Sequence, residues 1–360
     1  DETDWRDSIR KQRRLFQKKC SGYLRQKIED AEGDGRTLWR SLHSLLTPPA
    51  DRLASGLTPD TLRGHFSSKI DEIRLVTKDA SPPVFQPGRI PKPGLVAFDE
   101  VAPDDVEHLL LNSTTKQCEL DTVPVWLIKD LRSVFAPIIA LLVNSSIRFS
   151  TLPVQHKRAV IRPRIKKPEL DPSVPGNYRP ISNLSFISKF IERVIHRQLS
   201  AYAESNNLLP STQSGFRRLH STETAVVKVY NDIVLALDSH MQTALLLLDF
   251  SAAFDCVDHA LLILVLQTCF GVTSAALDWI KSFLSDRTYF IRLNDRVSQI
   301  SHIKFGVPQG SILGPLLFIF YTANITRIAE QHDIRIHSYA DDTQLYIHLN
   351  MSDLQQAKYK

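Results

Sequence analysis

This chain has few cysteines, no long apolar run and no internal repeat. Its four cysteines lack CxxC spacing, which argues against a zinc knuckle and a disulfide framework and predicts reduced thiols in an intracellular location. No apolar run approaches the ~18 residues that a membrane span needs, and the start of the sequence has no stretch typical of a signal peptide. We therefore expect no membrane association.

The sequence is basic, and the excess charge is concentrated in one stretch. The formal net charge is +5 and the pI is about 8.9. Residues 156–198 contain ten Lys and Arg against three acids. Such an excess is the footprint expected for phosphate contacts, although a basic stretch is more often plain solvated surface. At 360 residues and 43% hydrophobic content, the chain is predicted to form one large domain plus an extension.

Three carboxylates are the candidates for catalytic chemistry. Residues 244–248 form an unbroken apolar run followed by Asp249, which predicts a strand buried on both faces that ends at a cleft. Strand-like runs flank Asp341 and Asp342, which predicts a hairpin with this pair at its tip. If the tip lies beside the end of the first strand, three carboxylates come within a few ångströms, and cations must neutralise them.

The cofactors that this pattern indicates are two Mg²⁺ ions, with Mn²⁺ as a substitute. Oxygen ligands favour these ions over zinc. Two such ions about 3.5 to 4 Å apart activate an attacking 3′-hydroxyl and stabilise the leaving pyrophosphate, as in polymerases and nucleases. An Asp pair in a turn is by itself more often a solvated turn, so the hypothesis depends on the joint order of Asp249, the Gly-rich turn at 306–310 and Asp341.

Two further segments complete a set of five motifs: residues 177–195, NYRPISNLSFISKFIERVI, and residues 213–225, QSGFRRLHSTETA. Their wording and order resemble the reverse transcriptases of non-LTR (LINE-type) retrotransposons, closest to the jockey and chicken-repeat branch. The resemblance covers about residues 156–350. It implies an α+β right-hand fold of fingers and palm, with an antiparallel palm sheet covered by helices and preceded by a mainly helical extension. It also implies RNA-directed DNA polymerase activity, with an RNA template, a DNA primer or target and deoxynucleotides as partners.

The resemblance assigns roles to individual residues. Asp249, Asp341 and Asp342 become the catalytic metal ligands, assisted by the backbone carbonyl of Phe250. Phe254 becomes a steric gate whose ring leaves no room for a ribose 2′-hydroxyl, although an ordinary core aromatic is nearly as consistent with the pattern. Further nucleotide contacts are assigned to Gln309, Arg179, Arg217 and Arg218.

Template and primer contacts are predicted for a second set of residues. Arg162, Arg164 and Lys166 fall on one face of a strand predicted over 158–166, where they are placed to meet the template or the triphosphate. Glycines in the 306–314 turn are expected to let the backbone approach nucleic acid closely, while Ser311 is placed to cap a helix that begins near Pro315. The set is completed by Gly306, Gly310 and Tyr339.

Breaks in the pattern divide the chain into three predicted parts. They are a basic helical and linker extension at 1–94, a helical N-terminal extension of the polymerase at 95–155, and fingers and palm at 156–360. In the first part we expect an amphipathic helix over 5–31 and a helical piece around 58–76. In the last part we expect Asp258 and Ser274 to cap helices, and residues 289–303 to form a hairpin.

The end of the sequence leaves alternatives open. Only eighteen residues follow Asp342, so the resemblance implies a chain that stops before the rest of the palm and the thumb. One alternative is therefore a catalytically silent, nucleic-acid-binding remnant of such an element. An RNA-templated RNA polymerase is disfavoured by Phe254, and a two-metal nuclease explains neither Gln309 nor the fingers motifs. Nuclear action is implied by the family alone, and the oligomeric state stays open.

Overall fold

The computed structural model describes residues 56–80 and 90–350, together with 21–23, 25, 26, 29, 83 and 85. The chain divides into two compact units, one of residues 1–57 and 171–173, the other of residues 58–170 and 174–360. In the first unit the described residues between 21 and 29 are helical, and the rest of the helix predicted over 5–31 lies outside the described residues. Every element named below belongs to the second unit.

The helices of the second unit follow the predicted pattern over most of the chain. The helical piece expected around 58–76 is confirmed as α1, which the side chain of Thr58 caps by accepting a hydrogen bond from the backbone of Thr61. In order they are α1 (Pro59–Val76), α2 (Pro103–Leu111), α3 (Val125–Asp130), α4 (Arg132–Arg148), α5 (Phe186–Ser205), α6 (Thr222–Asp238), α7 (His259–Phe270), α8 (Ser274–Leu284), α9 (Gly314–Thr322) and α10 (Asn324–Gln331).

The strands form two sheets. The first has the order β2-β1-β4-β5 with β6 also paired to β4, and its β1 lies antiparallel to β2 and parallel to β4. The second has the order β3-β8-β7 and is antiparallel throughout. In order the strands are β1 (Arg158–Ile165), β2 (Tyr178–Asn183), β3 (Gln242–Leu248), β4 (Thr288–Leu293), β5 (Arg296–Val297), β6 (Ser301–His302), β7 (Arg335–Tyr339) and β8 (Asp342–Leu349). The hairpin predicted over 289–303 and the strand predicted over 158–166 are confirmed.

Local chemistry explains where the palm helices begin and end. Asp258 caps α7 as predicted, because its carboxylate accepts a hydrogen bond from the backbone N–H of Leu261 at 3.0 Å. Gly271 ends the same helix with φ 65°, a left-handed conformation that glycine adopts without a steric penalty. The prediction for Ser274 is wrong, since Thr273 occupies the N-cap position of α8 and Ser274 is its first helical residue.

One core packs the helices against one another. Its helical members come from α2, α3, α4, α5, α7, α8 and α9, and Trp279 lies fully buried among them while its indole Nε1 donates to Ser146 at 2.9 Å. Each fully buried Leu, Ile or Phe contributes about 1.5–3 kcal/mol relative to an exposed position. Leu316 and Phe320 of α9 are both buried in this core, so they serve packing.

The strand before Asp249 departs from its prediction. Leu245, Leu246 and Leu247 are 46%, 55% and 67% exposed, so β3 is not buried on both faces. It is an edge strand that pairs with β8 alone within the described part of the chain. An apolar run indicates only that burial of the strand would be favourable, whereas the burial that it reaches depends on which elements pack against it.

None of the described helices combines the length and the apolarity that crossing a lipid bilayer requires.

Candidate active site

The structure brings the ends of β3 and β8 together. Leu248 pairs with Thr343, so Asp249 continues the antiparallel register to the position opposite Asp342. Tyr339 pairs with Asp342 across the β7–β8 hairpin, which leaves Ala340 and Asp341 as its two-residue turn. The predicted hairpin tip is therefore confirmed, and its carboxylates lie at the same end of the sheet as Asp249.

The carboxylates interact electrostatically. Burial raises the pKa of Asp341 above its usual range, and the negative charges of Asp342 and Asp249 raise it further. The nearby guanidinium of Arg179, on β2, lowers the same pKa. A group of anions that resist ionising together, with a cation facing them, is the electrostatic environment of a divalent metal or phosphate site.

The side chains themselves are not gathered into a finished ligand set. Among the described residues, no three His, Cys, Asp or Glu side chains lie close enough together to hold a metal ion. The backbone register brings the two strand ends together, but the side chains of the three carboxylates are not grouped closely enough to hold a metal ion. The donors nevertheless fit a hard divalent cation, since all three are carboxylates at one sheet end.

Gln309 is turned toward the protein. Its side-chain Nε2 donates to Oδ2 of Asp255 at 2.8 Å, and its backbone carbonyl accepts from the N–H of Ser182 at 2.9 Å. Burial raises the pKa of Asp255 to about 6, while the hydrogen bond from Gln309 and the charge of Lys69 oppose that rise. The side chain that the resemblance assigns to nucleotide contact thus also connects its own loop to Asp255.

The glycines of this loop lie close to the protein's own backbone. A Cβ on Gly306, whose φ is 84°, would lie 2.6 Å from the carbonyl oxygen of Asp255. A Cβ on Gly310, whose φ is 121°, would collide with the carbonyl oxygen of Ser182. The close approach that these positions require is to the protein's own backbone, which glycine alone permits at such φ values.

Glu192 anchors the other end of the same loop and was missed by sequence reasoning. It is fully buried on α5, and its Oε2 accepts from the Ser311 hydroxyl at 2.6 Å and from the Ile312 N–H at 2.7 Å. Ser311 in turn accepts from the N–H of Gly314, the first residue of α9, at 2.9 Å, but Leu313 occupies the N-cap position, so the prediction that Ser311 is the N-cap is wrong. The available signal was a lone acid at the centre of an apolar helix face, flanked by Ile191 and Ile195.

Phe254 lies in the short 3₁₀ turn Ala253–Cys256 that follows Asp249. Its ring stacks on Phe318 with centroids 4.7 Å apart and meets Phe216 edge-on at 6.1 Å. The side chain is partly exposed, and its buried part packs against the core. Both roles considered for Phe254 are compatible with this position.

Several basic side chains of the fingers lie close to one another. Arg164 pairs with Arg179 across β1 and β2, an arrangement of like charges that is unfavourable unless an anion lies between them. Lys166 has a pKa lowered by burial and then by the charges of Lys69 and Arg179. Arg162 differs, because it forms an ion pair with Glu119 at 3.3 Å.

The remaining predicted residues have mixed surroundings. Arg217 forms an ion pair with Glu204 at 3.1 Å, which connects the motif at 213–225 to α5. Arg218 is exposed. Tyr339 is half-buried at the end of β7, and Phe250 lines a crevice beside the hairpin tip.

Lys69 of α1 is a further cation that sequence reasoning missed. It lies close enough to Asp255 and Lys166 to affect the pKa of both. On the preceding turn of α1, His65 lies 3.8 Å from the position of a Cβ on Gly176, whose carbonyl accepts from Lys166 at 2.8 Å. A helix assigned to the extension thus places a cation near Asp255 and Lys166, and its sequence spacing carried no signal of that.

The comparisons with known proteins agree with this geometry. A protein-family model described as reverse transcriptase (RNA-dependent DNA polymerase) matches residues 165–359. The chain is 35% identical over 212 residues to a probable RNA-directed DNA polymerase from transposon BS of Drosophila melanogaster, which covers 58% of this chain and 23% of that protein. It is 30% identical over 250 residues to the RNA-directed DNA polymerase from mobile element jockey of the same fly, covering 67% of this chain and 26% of that protein.

A solved structure of apo telomerase from Candida tropicalis, truncated from its C-terminal domain, is 16% identical with a TM-score of 0.40, covering 63% of this chain and 51% of that one. The chain spans 23% and 26% of the two fly proteins. The family match extends over more than half of this chain and includes every carboxylate of the site. The chain therefore belongs to the reverse transcriptase (RNA-dependent DNA polymerase) family, in its LINE-type, non-LTR branch.

Proposed function

We propose that this chain carries the nucleotidyl-transfer site of an RNA-directed DNA polymerase, which extends a DNA primer with deoxynucleotides on an RNA template. The observation that carries the proposal is the register that sets Asp249 opposite Asp342, with Asp341 in the adjoining turn and Arg179 acting on it from the fingers. The carboxylates at the ends of β3 and β8, together with the cations of β1 and β2, match the charge distribution that a metal-bound triphosphate requires.

Asp249, Asp341 and Asp342 are the residues that would hold the divalent cations, with the carbonyl of Phe250 assisting. Two bound Mg²⁺ or Mn²⁺ ions would supply activation of the primer 3′-hydroxyl and neutralisation of the leaving pyrophosphate. The raised pKa of Asp341 supports this assignment. Burial and the charges of Asp342 and Asp249 disfavour the ionised form of Asp341, whereas a nearby divalent cation would favour it.

The surrounding residues position the substrates. Arg179, Arg164 and Lys166 are proposed to bind phosphates, since the unfavourable pairing of these cations is relieved when an anion lies between them. Phe254 is proposed to exclude ribonucleotides, because its ring is held from behind by Phe318 and cannot retreat into the core. Gln309, held by Asp255, is proposed to contribute backbone and loop shape beside the nucleotide.

A second candidate is a nucleic-acid-binding remnant without catalysis. It is favoured by the side chains of the carboxylates, which within the described residues do not form a set of three metal-ligating groups. In this case the basic face of β1 and β2 would still bind RNA, because phosphate contacts need no metal ligands.

We also propose a nuclear site of action, which the distribution of a tagged chain in cells would test.

Primer extension separates the two candidates. The full chain is incubated with an RNA template, an annealed DNA primer, Mg²⁺ and deoxynucleotides, beside the double variant Asp341→Asn, Asp342→Asn. A matched control is Asp295→Asn, which removes a carboxylate from the exposed turn between β4 and β5. We expect extension by the wild type and by Asp295→Asn and none by the double variant, with RNA binding retained in all three. RNA binding without extension by the wild type would favour the silent remnant.

A further inference from the structure

The segment of residues 212–215 lies against the strand that leads into the catalytic hairpin. Gln213 forms a parallel bridge with Ser338 of β7. The N–H of Ser338 donates to the carbonyl of Thr212, and the N–H of Ser214 donates to the carbonyl of Ser338, both at 2.8 Å. The second sheet therefore gains a short additional backbone pairing beside β7, supplied by a segment more than 120 residues earlier in the chain.

The side chain of Gln213 reaches beyond this pairing to the turn itself. Its Oε1 accepts hydrogen bonds from the N–H of Gly215 at 2.8 Å and from the N–H of Ala340 at 3.0 Å. Its Nε2 donates to the carbonyl of Ala340 at 3.2 Å. One carboxamide thus satisfies both backbone groups of Ala340, the residue immediately before Asp341.

These bonds restrict the direction of Asp341. The carbonyl of Ala340 and the N–H of Asp341 belong to one planar peptide unit, so a hydrogen bond to that carbonyl fixes the plane from which the Asp341 side chain departs. Ala340 has φ 59°, a left-handed conformation that costs a non-glycine residue free energy and needs support from its surroundings. Gln213 supplies that support, and at 4% exposure it is shielded from competing water.

Two features of residues 212–215 allow this segment to hold the backbone of Ala340. A carboxamide carries a donor and an acceptor in one rigid plane, which neither a carboxylate nor an apolar side chain of similar size provides. Gly215 allows the close approach, because a Cβ at this position would collide with the backbone nitrogen of Ala340. Any side chain on residue 215 would push the hairpin tip away from Gln213.

We propose that Gln213 is a positioning residue that holds the Ala340–Asp341 peptide in the orientation required for metal binding by Asp341. The inference rests on the proposed function, since it concerns the carboxylates of that same site. Gln213 acts through the backbone of Ala340 and touches neither substrate nor metal.

Three variants of the full chain test this. Gln213→Ala removes all three side-chain bonds, whereas Gln213→Glu keeps the two that Oε1 accepts and loses the one that Nε2 donates. The matched control is Gln198→Ala. Gln198 holds the backbone of Asp99 in the same two-way manner, accepting at 2.7 Å and donating at 2.8 Å, but lies on α5 away from the hairpin.

The readouts are the kcat and the nucleotide KM of primer extension, the Mg²⁺ concentration for half-maximal rate, and Mn²⁺ binding to the free protein measured by electron paramagnetic resonance. For Gln213→Ala we expect kcat to fall by at least about tenfold, because a displacement of about 1 Å in a catalytic group can cost about 100-fold. We also expect weaker Mn²⁺ binding and a higher Mg²⁺ requirement, with little change in KM. Gln213→Glu should fall between Gln213→Ala and the wild type, and Gln198→Ala should match the wild type.

The inference is overturned if Gln213→Ala keeps the kcat, the Mg²⁺ requirement and the Mn²⁺ affinity of the Gln198→Ala control. If Gln213→Ala does not fold, Gln213→Glu decides, and an unchanged Mg²⁺ requirement in that variant overturns the inference. If the wild type itself does not extend primers, the proposed function fails separately. The Mn²⁺ affinities of Gln213→Ala and Gln198→Ala then still decide whether Gln213 orders the carboxylates.

Discussion

Gln309 donates its side-chain amide to Asp255, with 2.8 Å between Nε2 and Oδ2. This hydrogen bond joins the glycine-rich loop to the 3₁₀ turn that carries Phe254. Burial raises the pKa of the acceptor, so this carboxyl takes up a proton at a higher pH than an ordinary aspartate does.

The stability of the protein should reflect the pKa of Asp255, which burial raises to about 6. Because the folded protein then holds this proton more tightly than the unfolded chain, the contribution of Asp255 to the free energy of unfolding falls as the pH rises from about 4 to about 6. Asp255→Asn keeps an acceptor for Gln309 and removes the charge. We expect the stability of this variant relative to wild type to increase by about 1 to 2 kcal/mol between pH 4 and pH 7.5.

Chemical denaturation at the two pH values measures this change. The control is Asp278→Asn, which removes an exposed carboxylate that pairs with Lys281 on α8. A stability difference between Asp255→Asn and wild type that stays constant with pH would show that Asp255 titrates normally.

Glu192 should be indispensable for the loop before α9. Glu192→Gln removes the negative charge that faces its four hydrogen-bond donors and the buried Arg287. Among the described residues, Nε and Nη2 of Arg287 have no hydrogen-bond partner. We expect a loss of about 3 kcal/mol in the free energy of unfolding, since removing one member of a buried charge group leaves the other uncompensated. Glu107→Gln, which breaks an exposed ion pair with Arg132, should cost less than about 1 kcal/mol. Equal losses in the two variants would contradict the assignment.

Phe254 should set the preference for deoxynucleotides. In Phe254→Val the smaller side chain leaves room for a 2′-hydroxyl, so the ratio of kcat/KM for deoxynucleotides to that for ribonucleotides should fall by at least about tenfold. Single-nucleotide incorporation on one template measures the ratio. Phe318→Leu removes the ring that stacks behind Phe254 but keeps the Phe254 ring itself, so the ratio should fall by less than in Phe254→Val. A drop of the same size in both variants would identify packing, and not exclusion, as the role of Phe254.

The facing arginines of the fingers should bind phosphate. Arg164→Ala and Arg179→Ala are each expected to weaken RNA binding on every sequence and to reduce the slope of log K against log salt concentration by about 1. Fluorescence anisotropy over a salt titration measures both quantities. Arg197→Ala, an exposed residue of α5, serves as the control and should leave the slope unchanged. An unchanged slope in Arg179→Ala would remove this residue from the phosphate site.

Much of the candidate site was predictable because its signals are local. The apolar run before Asp249 and the strand-like runs around Asp341 and Asp342 specify a strand end and a hairpin tip through side-chain alternation and turn chemistry. The burial of β3 could not be predicted in this way. An apolar strand has the same pattern at the edge of a sheet as at its centre, and only the neighbouring elements distinguish the two positions.

The sequence by itself determined the order of the motifs, the family, the elements that carry the carboxylates and the basic face of β1. Tertiary structure alone decided which distant groups hold them in place. Glu192 meets Ile312 across 120 positions, Gln213 meets Ala340 across 127, and Lys69 reaches Asp255 from a helix of the N-terminal extension. Local periodicity cannot specify such partners, because they depend on how segments far apart in the chain pack against one another.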